Sequence, residues 1–163
     1  MLISLKNKDT LIIDEFTFKC CVGKKGLKRV KKEGDLSTPK GKFLLTKLFY
    51  RSDRFKNIST SLKKIKIKKN MGWCNDPKHE KYNSLINTKE KIKHEKMFRG
   101  DRKYDLVVVL DYNLKKPIPF KGSAIFIHLT NNFKPTAGCI AIGKNDMLVL
   151  LRILNKKTKI KIN

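Results

Sequence analysis

The chain has 163 residues, 40% of them hydrophobic and 33% charged, a length and balance that suit one domain with a real core and leave little room for two. No apolar stretch approaches the roughly 20 residues of a membrane-spanning helix, and runs such as Leu106–Leu110 are core-sized, so a water-soluble domain is expected. A formal net charge of +25 draws anions towards the surface, but lysine lacks arginine's planar phosphate-reading fork and here accompanies many Ile and Asn residues, so charge alone names no partner.

In chain order, Leu2–Leu5 and Thr10–Ile13 flank the polar stretch Lys6-Asn7-Lys8-Asp9 and predict a hairpin. The same polar stretch arrives too early for a secretory apolar region, so no signal peptide is recognisable and compartment is not readable. Phe16–Val22 predicts a strand ending at Gly23. Thr38-Pro39-Lys40-Gly41 reads as a turn, fixed by proline and released by glycine, ahead of a strand over Phe43–Tyr50. Ile65 and Ile67 alternate with lysines as in a half-exposed strand, with Lys63, Lys64, Lys66, Lys68 and Lys69 as its solvated face. Asn70–Asn83 is irregular, and a long loop in a compact domain usually has a task, which makes it a candidate wall of a binding site.

The last third is clearest. Tyr104–Leu110 reads as a central strand, Ala124–Leu129 as a second that carries His128, and Cys139–Ile142 as a third entered through Pro135-Thr136-Ala137-Gly138. Asn145 is placed to cap a helix over Asp146–Leu154, with Met147, Leu148, Leu151 and Leu154 on one face. Thr158–Ile162 alternates isoleucine and lysine as a closing strand. The expected architecture is one mostly-β domain over residues 1–163, with one main helix near the C-terminus.

Of the four cysteines, adjacent Cys20 and Cys21 make no disulfide framework and read as small buried hydrophobes. Cys139 stands apart because it follows Gly138, which permits a tight turn and close approach of a substrate carbonyl. The backbone N–H groups of Gly138 and Cys139 are candidates to stabilise an oxyanion. A reactive thiol needs a cation or base beside it, and His128, eleven positions earlier at a strand end, is placed to supply one across neighbouring strands. A cysteine and a histidine at this spacing form a weak signal alone, because a strand histidine is more often a satisfied core residue.

The residues around the pair add a resemblance. Ile125-Phe126-Ile127-His128 and Pro135-Thr136 through Ala137-Gly138-Cys139-Ile140-Ala141-Ile142 resemble the signature of the L,D-transpeptidase (YkuD-type) catalytic domain. Gly34-Asp35 with Ser37-Thr38-Pro39-Lys40-Gly41-Lys42-Phe43 resembles that family's threonine-proline turn, and Tyr104-Asp105-Leu106-Val107-Val108-Val109 its central strand. Gly72-Trp73-Cys74-Asn75-Asp76-Pro77, with Tyr82-Asn83 and His94-Glu95, is similar to the insert of a smaller bacterial branch. Two positions depart from the pattern: Ala137 stands where a second histidine is usual, and Ala141 where arginine or asparagine is common.

The resemblance implies a β-sandwich of mixed sheets and a two-step acyl transfer on peptidoglycan stem peptides. Cys139 is then the nucleophile, His128 the general acid/base, Gly138 an oxyanion-hole amide and the Leu129 carbonyl the group that orients the histidine. Trp73, Asp76, Tyr82 and Thr136 are the expected substrate contacts, with His79, Asn83, His94 and Glu95 as further candidates. No cofactor or metal is needed; Cys74, Asp76, His79 and His94 include zinc-ligand types, but their spacing matches no strong zinc pattern. The resemblance implies a monomer in the cell envelope or periplasm, with a cytoplasmic location left open. The positive charge allows attraction to anionic wall polymer or a membrane surface, and no specific nucleic acid is expected. Two other readings stand beside this one: an L,D-carboxypeptidase using water as acceptor at the same site, and a basic binding protein in which His128 and Cys139 are structural.

Overall fold

Short strands build the fold: the outer ones alternate core-facing and solvent-facing side chains, and a central few are buried on both faces. The computed structural model describes residues 1–163. Its elements are β1 (Leu2–Lys6), β2 (Thr10–Ile13), β3 (Phe16–Cys21), β4 (Leu27–Lys28), β5 (Thr38–Pro39), β6 (Gly41–Tyr50), β7 (Lys63–Lys66), β8 (Met71–Cys74), β9 (Leu85–Asn87), β10 (His94–Lys96), β11 (Leu106–Leu110), β12 (Phe126–Leu129), β13 (Ile140–Ile142), α1 (Lys144–Ile153) and β14 (Lys159–Ile162). The expected mostly-β class with one helix near the C-terminus is the architecture found.

β1 pairs with β2 in the expected hairpin, and β2 pairs with β3, both antiparallel. On its other edge β1 runs parallel to β14, which pairs with the first half of β6. β3 continues into a second sheet by pairing with β13, and β13 runs parallel to β12. β12 pairs with β11 and β11 with the second half of β6, so the long strand β6 joins the two sheets. β7 adds a parallel edge to β6. The mixture of parallel and antiparallel pairs is that of a mixed-sheet sandwich.

The main core lies between the two sheets. Ile3, Leu5, Leu11 and Ile13 meet Leu106, Val108, Ile127 and Ile140 there, and Met147, Leu150 and Leu151 of α1 complete it. The opposite face of β11 and β12 is also covered. Val107, Val109 and Phe126 pack with Phe49, Trp73 and Met97 in a second core, which explains why Leu106–Leu110 reads as an unbroken apolar run: both faces of β11 are buried.

Three local expectations change: Thr38-Pro39-Lys40-Gly41 is not a turn, since Thr38–Pro39 forms β5, paired in parallel with β4, and Gly41 already opens β6. α1 starts at Lys144, with Gly143 as N-cap and no side-chain cap bond, so Asn145 sits inside the first turn. The Asn70–Asn83 segment is not a free loop: its start forms β8, the middle strand of a three-stranded sheet with β9 and β10. That sheet is the lid of the second core, and it was hidden from sequence because each strand is only three or four residues long.

Trp73 is the anchor of this lid. It is 2% exposed and meets Phe126 edge to face at 5.1 Å between ring centroids, with Phe49 on another side at 6.1 Å. Its indole N–H donates to Asn83 Oδ1 at 2.9 Å. Truncating such a ring removes buried area and opens a cavity, so Trp73→Ala should lower unfolding free energy by about 3–5 kcal/mol in urea titration. Trp73→Phe should cost less, since it keeps ring packing and loses the N–H donor.

Candidate active site

Strand geometry puts His128 and Cys139 on one face of the sheet, with no hydrogen bond between the sulfur and the imidazole. β12 and β13 are parallel, with Ile127 opposite Ile140 and His128 opposite Ala141. Partnered residues in a ladder share a face, and residues two apart share it as well. Cys139 therefore projects to the same side as Ala141 and His128, while Ile127 and Ile140 face the main core. Both side chains line a cleft of about 690 Å³, and each is nearly buried, at 7% exposure for His128 and 8% for Cys139.

The imidazole is fixed by its neighbour in sequence. His128 Nδ1 lies 2.9 Å from the Leu129 carbonyl oxygen. A carbonyl only accepts, so Nδ1 carries the hydrogen and Nε2 keeps a free lone pair. Burial is the main cause of the low imidazole pKa, about 4, with the Leu129 bond opposing it. The ring is neutral near pH 7.

The turn that presents Cys139 is held by two threonines. Gly138 has φ +149°, and a Cβ there would stand 2.9 Å from the Ser37 carbonyl oxygen, so only glycine fits. Thr38 Oγ1 donates to the Gly138 carbonyl at 2.8 Å and accepts from Gly23 N–H at 2.9 Å. Thr136 Oγ1 donates to the Cys139 carbonyl at 2.6 Å and accepts from Gly138 N–H at 3.0 Å. The Gly138 amide, expected to face an oxyanion, is thus directed onto Thr136. Thr136 lines the cleft and also braces the turn.

On the other side of the sulfur is Ala124, a non-glycine residue at φ 52°. Its carbonyl oxygen lies 3.1 Å from Cys139 Sγ and accepts from the thiol. Ala124 N–H donates to Asn83 Oδ1 at 2.9 Å, the atom that also receives the Trp73 indole. Asn83 Nδ2 donates onward to the Asn113 carbonyl at 2.6 Å.

The expected substrate contacts therefore divide. Trp73, Asp76 and Tyr82 lie outside the cleft lining, whereas Thr136 is part of it. Trp73 is a core residue that supports Asn83. Tyr82, 3% exposed, bonds Glu33 and receives the Gly122 N–H at 2.9 Å. Asp76 closes its own turn by accepting from Lys78 N–H at 3.0 Å. In the structure these three side chains are engaged within the fold: Trp73 in the second core, Tyr82 with Glu33 and Gly122, and Asp76 in its own turn.

Residues that the sequence did not single out complete the wall. Lys31 is 5% exposed, its ammonium 2.8 Å from Asp35 Oδ1 and turned towards the Gly138 turn. Burial pushes the Asp35 carboxyl up, but hydrogen bonds from Lys31, Lys32 and Ser37 outweigh it and hold the group well below the usual range. Among 39 lysines and arginines no local signal separates Lys31 from the solvated ones. Asn75 also reaches the cleft, with a buried Oδ1 that has no hydrogen-bond partner. Glu95, offered by the sequence as a further substrate contact, lines the cleft beside Tyr104, whose O–H donates to Glu95 Oε1 at 2.6 Å. Burial raises the Cys139 thiol to about 12, and the Glu95 charge adds to the effect.

The arrangement holds a neutral thiol and a neutral imidazole with one open nitrogen at the floor of a peptide-sized cleft. That is the equipment for nucleophilic chemistry on a carbonyl. No curated protein matches the chain. The family model described as the L,D-transpeptidase catalytic domain (YkuD) matches residues 2–162, and the chain belongs to that family, whose enzymes act on peptidoglycan.

Proposed function

We propose that this protein is a peptidoglycan L,D-transpeptidase that works through a thioester on Cys139. The observation that carries this reading is the shared face of β12 and β13, which brings His128 and Cys139 to one cleft. Cys139 attacks the carbonyl of the L,D-peptide bond at the end of a tetrapeptide stem. The terminal D-alanine departs, and an amine of a second stem resolves the thioester. His128 Nε2 is the acid/base, kept in the right tautomer by the Leu129 carbonyl.

Oxyanion stabilisation falls to the Cys139 amide and to the Lys31 ammonium, since Thr136 occupies the Gly138 amide in the resting enzyme. The departures at Ala137 and Ala141 remove two polar side chains from the usual turn. Lys31, Arg99, Lys103 and Lys134 give the cleft cations that suit the carboxylates of a stem peptide, and Asn75 Oδ1 offers it an unused acceptor. Such a substrate places the protein's work in the cell envelope.

Incubation with purified tetrapeptide muropeptides should give cross-linked dimers and free D-alanine, and Cys139→Ala should give neither. Tripeptides without dimers would assign water as the acceptor, an L,D-carboxypeptidase. A Cys139→Ala protein as active as wild type would end the reading.

Burial also sets the resting state of the sulfur. Thiolate absorbance in the ultraviolet, taken as the difference between wild type and Cys139→Ala, should stay flat across neutral pH and rise only on approach to about 12. A step near neutral pH would reveal a preformed thiolate–imidazolium pair.

A further inference from the structure

Six large apolar side chains stand exposed on this molecule, and three of them, Val30, Ile118 and Phe120, belong to two loops that touch. Glu33 N–H donates to the Phe120 carbonyl at 2.7 Å, and a Cβ on Gly122 would stand 2.9 Å from Lys31 Cε. Val30 is 79% exposed, Phe120 54% and Ile118 48%. A single exposed apolar residue needs no explanation, whereas a group of them marks an interaction site.

Looseness does not account for the exposure. Asn113 fastens the second loop at three points: its Nδ2 donates to the Ile118 carbonyl at 3.1 Å and the Gly122 carbonyl at 2.9 Å, and its Oδ1 accepts from Ile118 N–H at 2.8 Å. The Tyr112 hydroxyl donates to the Lys121 carbonyl. Pro117 and Pro119 bracket Ile118 and stiffen the backbone. Phe120 is held at φ 65°, a region that a bulky side chain rarely adopts and that persists only where its surroundings enforce it.

The charge beside these side chains has one sign. Residues 24–32 carry six cations and residues 114–122 three, and neither segment holds an acid. Lys28, Arg29, Lys32, Lys115, Lys116 and Lys121 are exposed, and none of them forms an ion pair. The acids that flank the segments are engaged elsewhere: Glu33 accepts from the Tyr82 hydroxyl, Asp35 from Lys31 and Asp111 from Leu44 N–H.

We propose that Val30, Ile118 and Phe120 form an apolar wedge which, flanked by these lysines, docks the protein on an anionic lipid bilayer. The apolar side chains enter the headgroup boundary while the ammonium groups meet lipid phosphates. Each signal supplies what the other lacks, since a small wedge or a basic patch alone holds weakly. A polyanionic wall polymer would match the charge but give Val30 and Ile118 nothing apolar to enter. The first loop continues through Lys31 and Glu33 into the wall of the catalytic cleft, so docking sets the cleft close to the membrane surface. The inference goes beyond the acyl-transfer reading and does not depend on it.

Sedimentation with vesicles of phosphatidylglycerol and phosphatidylcholine in equal parts tests it. The wild type should pellet with them, release as salt rises, and stay in solution with phosphatidylcholine alone. Val30→Ser combined with Ile118→Ser and Phe120→Ser leaves the charge unchanged and should weaken binding by roughly tenfold or more. Lys115→Gln with Lys116→Gln and Lys121→Gln should weaken it by roughly 10²-fold. Lys66→Gln with Lys68→Gln and Lys69→Gln removes as much charge near the Tyr50–Leu106 end of the sheet, away from the loop that follows Leu110, and should weaken it far less. Equal loss in the two lysine sets, or an apolar variant that binds like wild type, overturns the wedge. Wild-type protein that pellets with purified sacculi but not with the vesicles overturns the lipid assignment. All three variants should turn over soluble tetrapeptide muropeptides at the wild-type rate. Failure to dock thus leaves the transpeptidase reading standing, and a protein that docks yet leaves muropeptides untouched overturns that reading alone.

Discussion

The parallel contact between β12 and β13 is the constraint on which the site depends. An antiparallel neighbour could be reached by a two-residue hairpin, but a parallel one requires a longer return. Here the return runs from Thr130 to Cys139 and is tied at its start, where Thr130 N–H donates to the Ile142 carbonyl at 2.8 Å. Because side chains alternate, a slip of one residue in β13 would turn Cys139 into the main core and bring Ile140 to the cleft. The register is defended by Ile127, Ile140 and Ile142, all with no exposed surface, on one face. Hydrophobic packing on the far side of the sheet thus fixes the chemistry on the near side.

Around that sheet the polar groups are arranged so that few buried donors or acceptors go unused. Thr38 links three separate segments through one hydroxyl: Gly23, the Gly138 turn and its own strand β5. Asn83 does the same for Trp73, Ala124 and Asn113. Losing one such partner would strand the others in a dry interior, which typically costs about 1–3 kcal/mol per orphaned group. This explains how a residue such as Ala124 is kept at positive φ, with its carbonyl aimed at the sulfur.

How much of this was legible in the sequence depended on how local each signal is. The hairpin, the strand with both faces buried, the helix and the Gly138-Cys139 turn are written in contiguous patterns and appear where expected, within a residue or two. β8, β9 and β10 are too short to show a period, so Trp73 and Tyr82 looked like free aromatics of a binding loop. Thr38 matters through Gly138, a hundred residues away, and Lys31 through its approach to the same turn, and no local pattern encodes contacts of that separation. Glu95 and Tyr104 lie within recognisable motifs, yet their bond to each other and their shared place in the cleft arise only in the folded chain.

Enclosure of Cys139 has a chemical corollary beyond its reaction. Oxidation of cysteine by peroxide proceeds through the thiolate and needs access. All four cysteines are free and buried, and the Cys20 thiol, like that of Cys139, is pushed up to about 12 by its surroundings. Small oxidants that enter the cleft therefore meet a protonated and almost wholly buried sulfur, so Cys139 can stay reduced without a resolving partner or a protective disulfide.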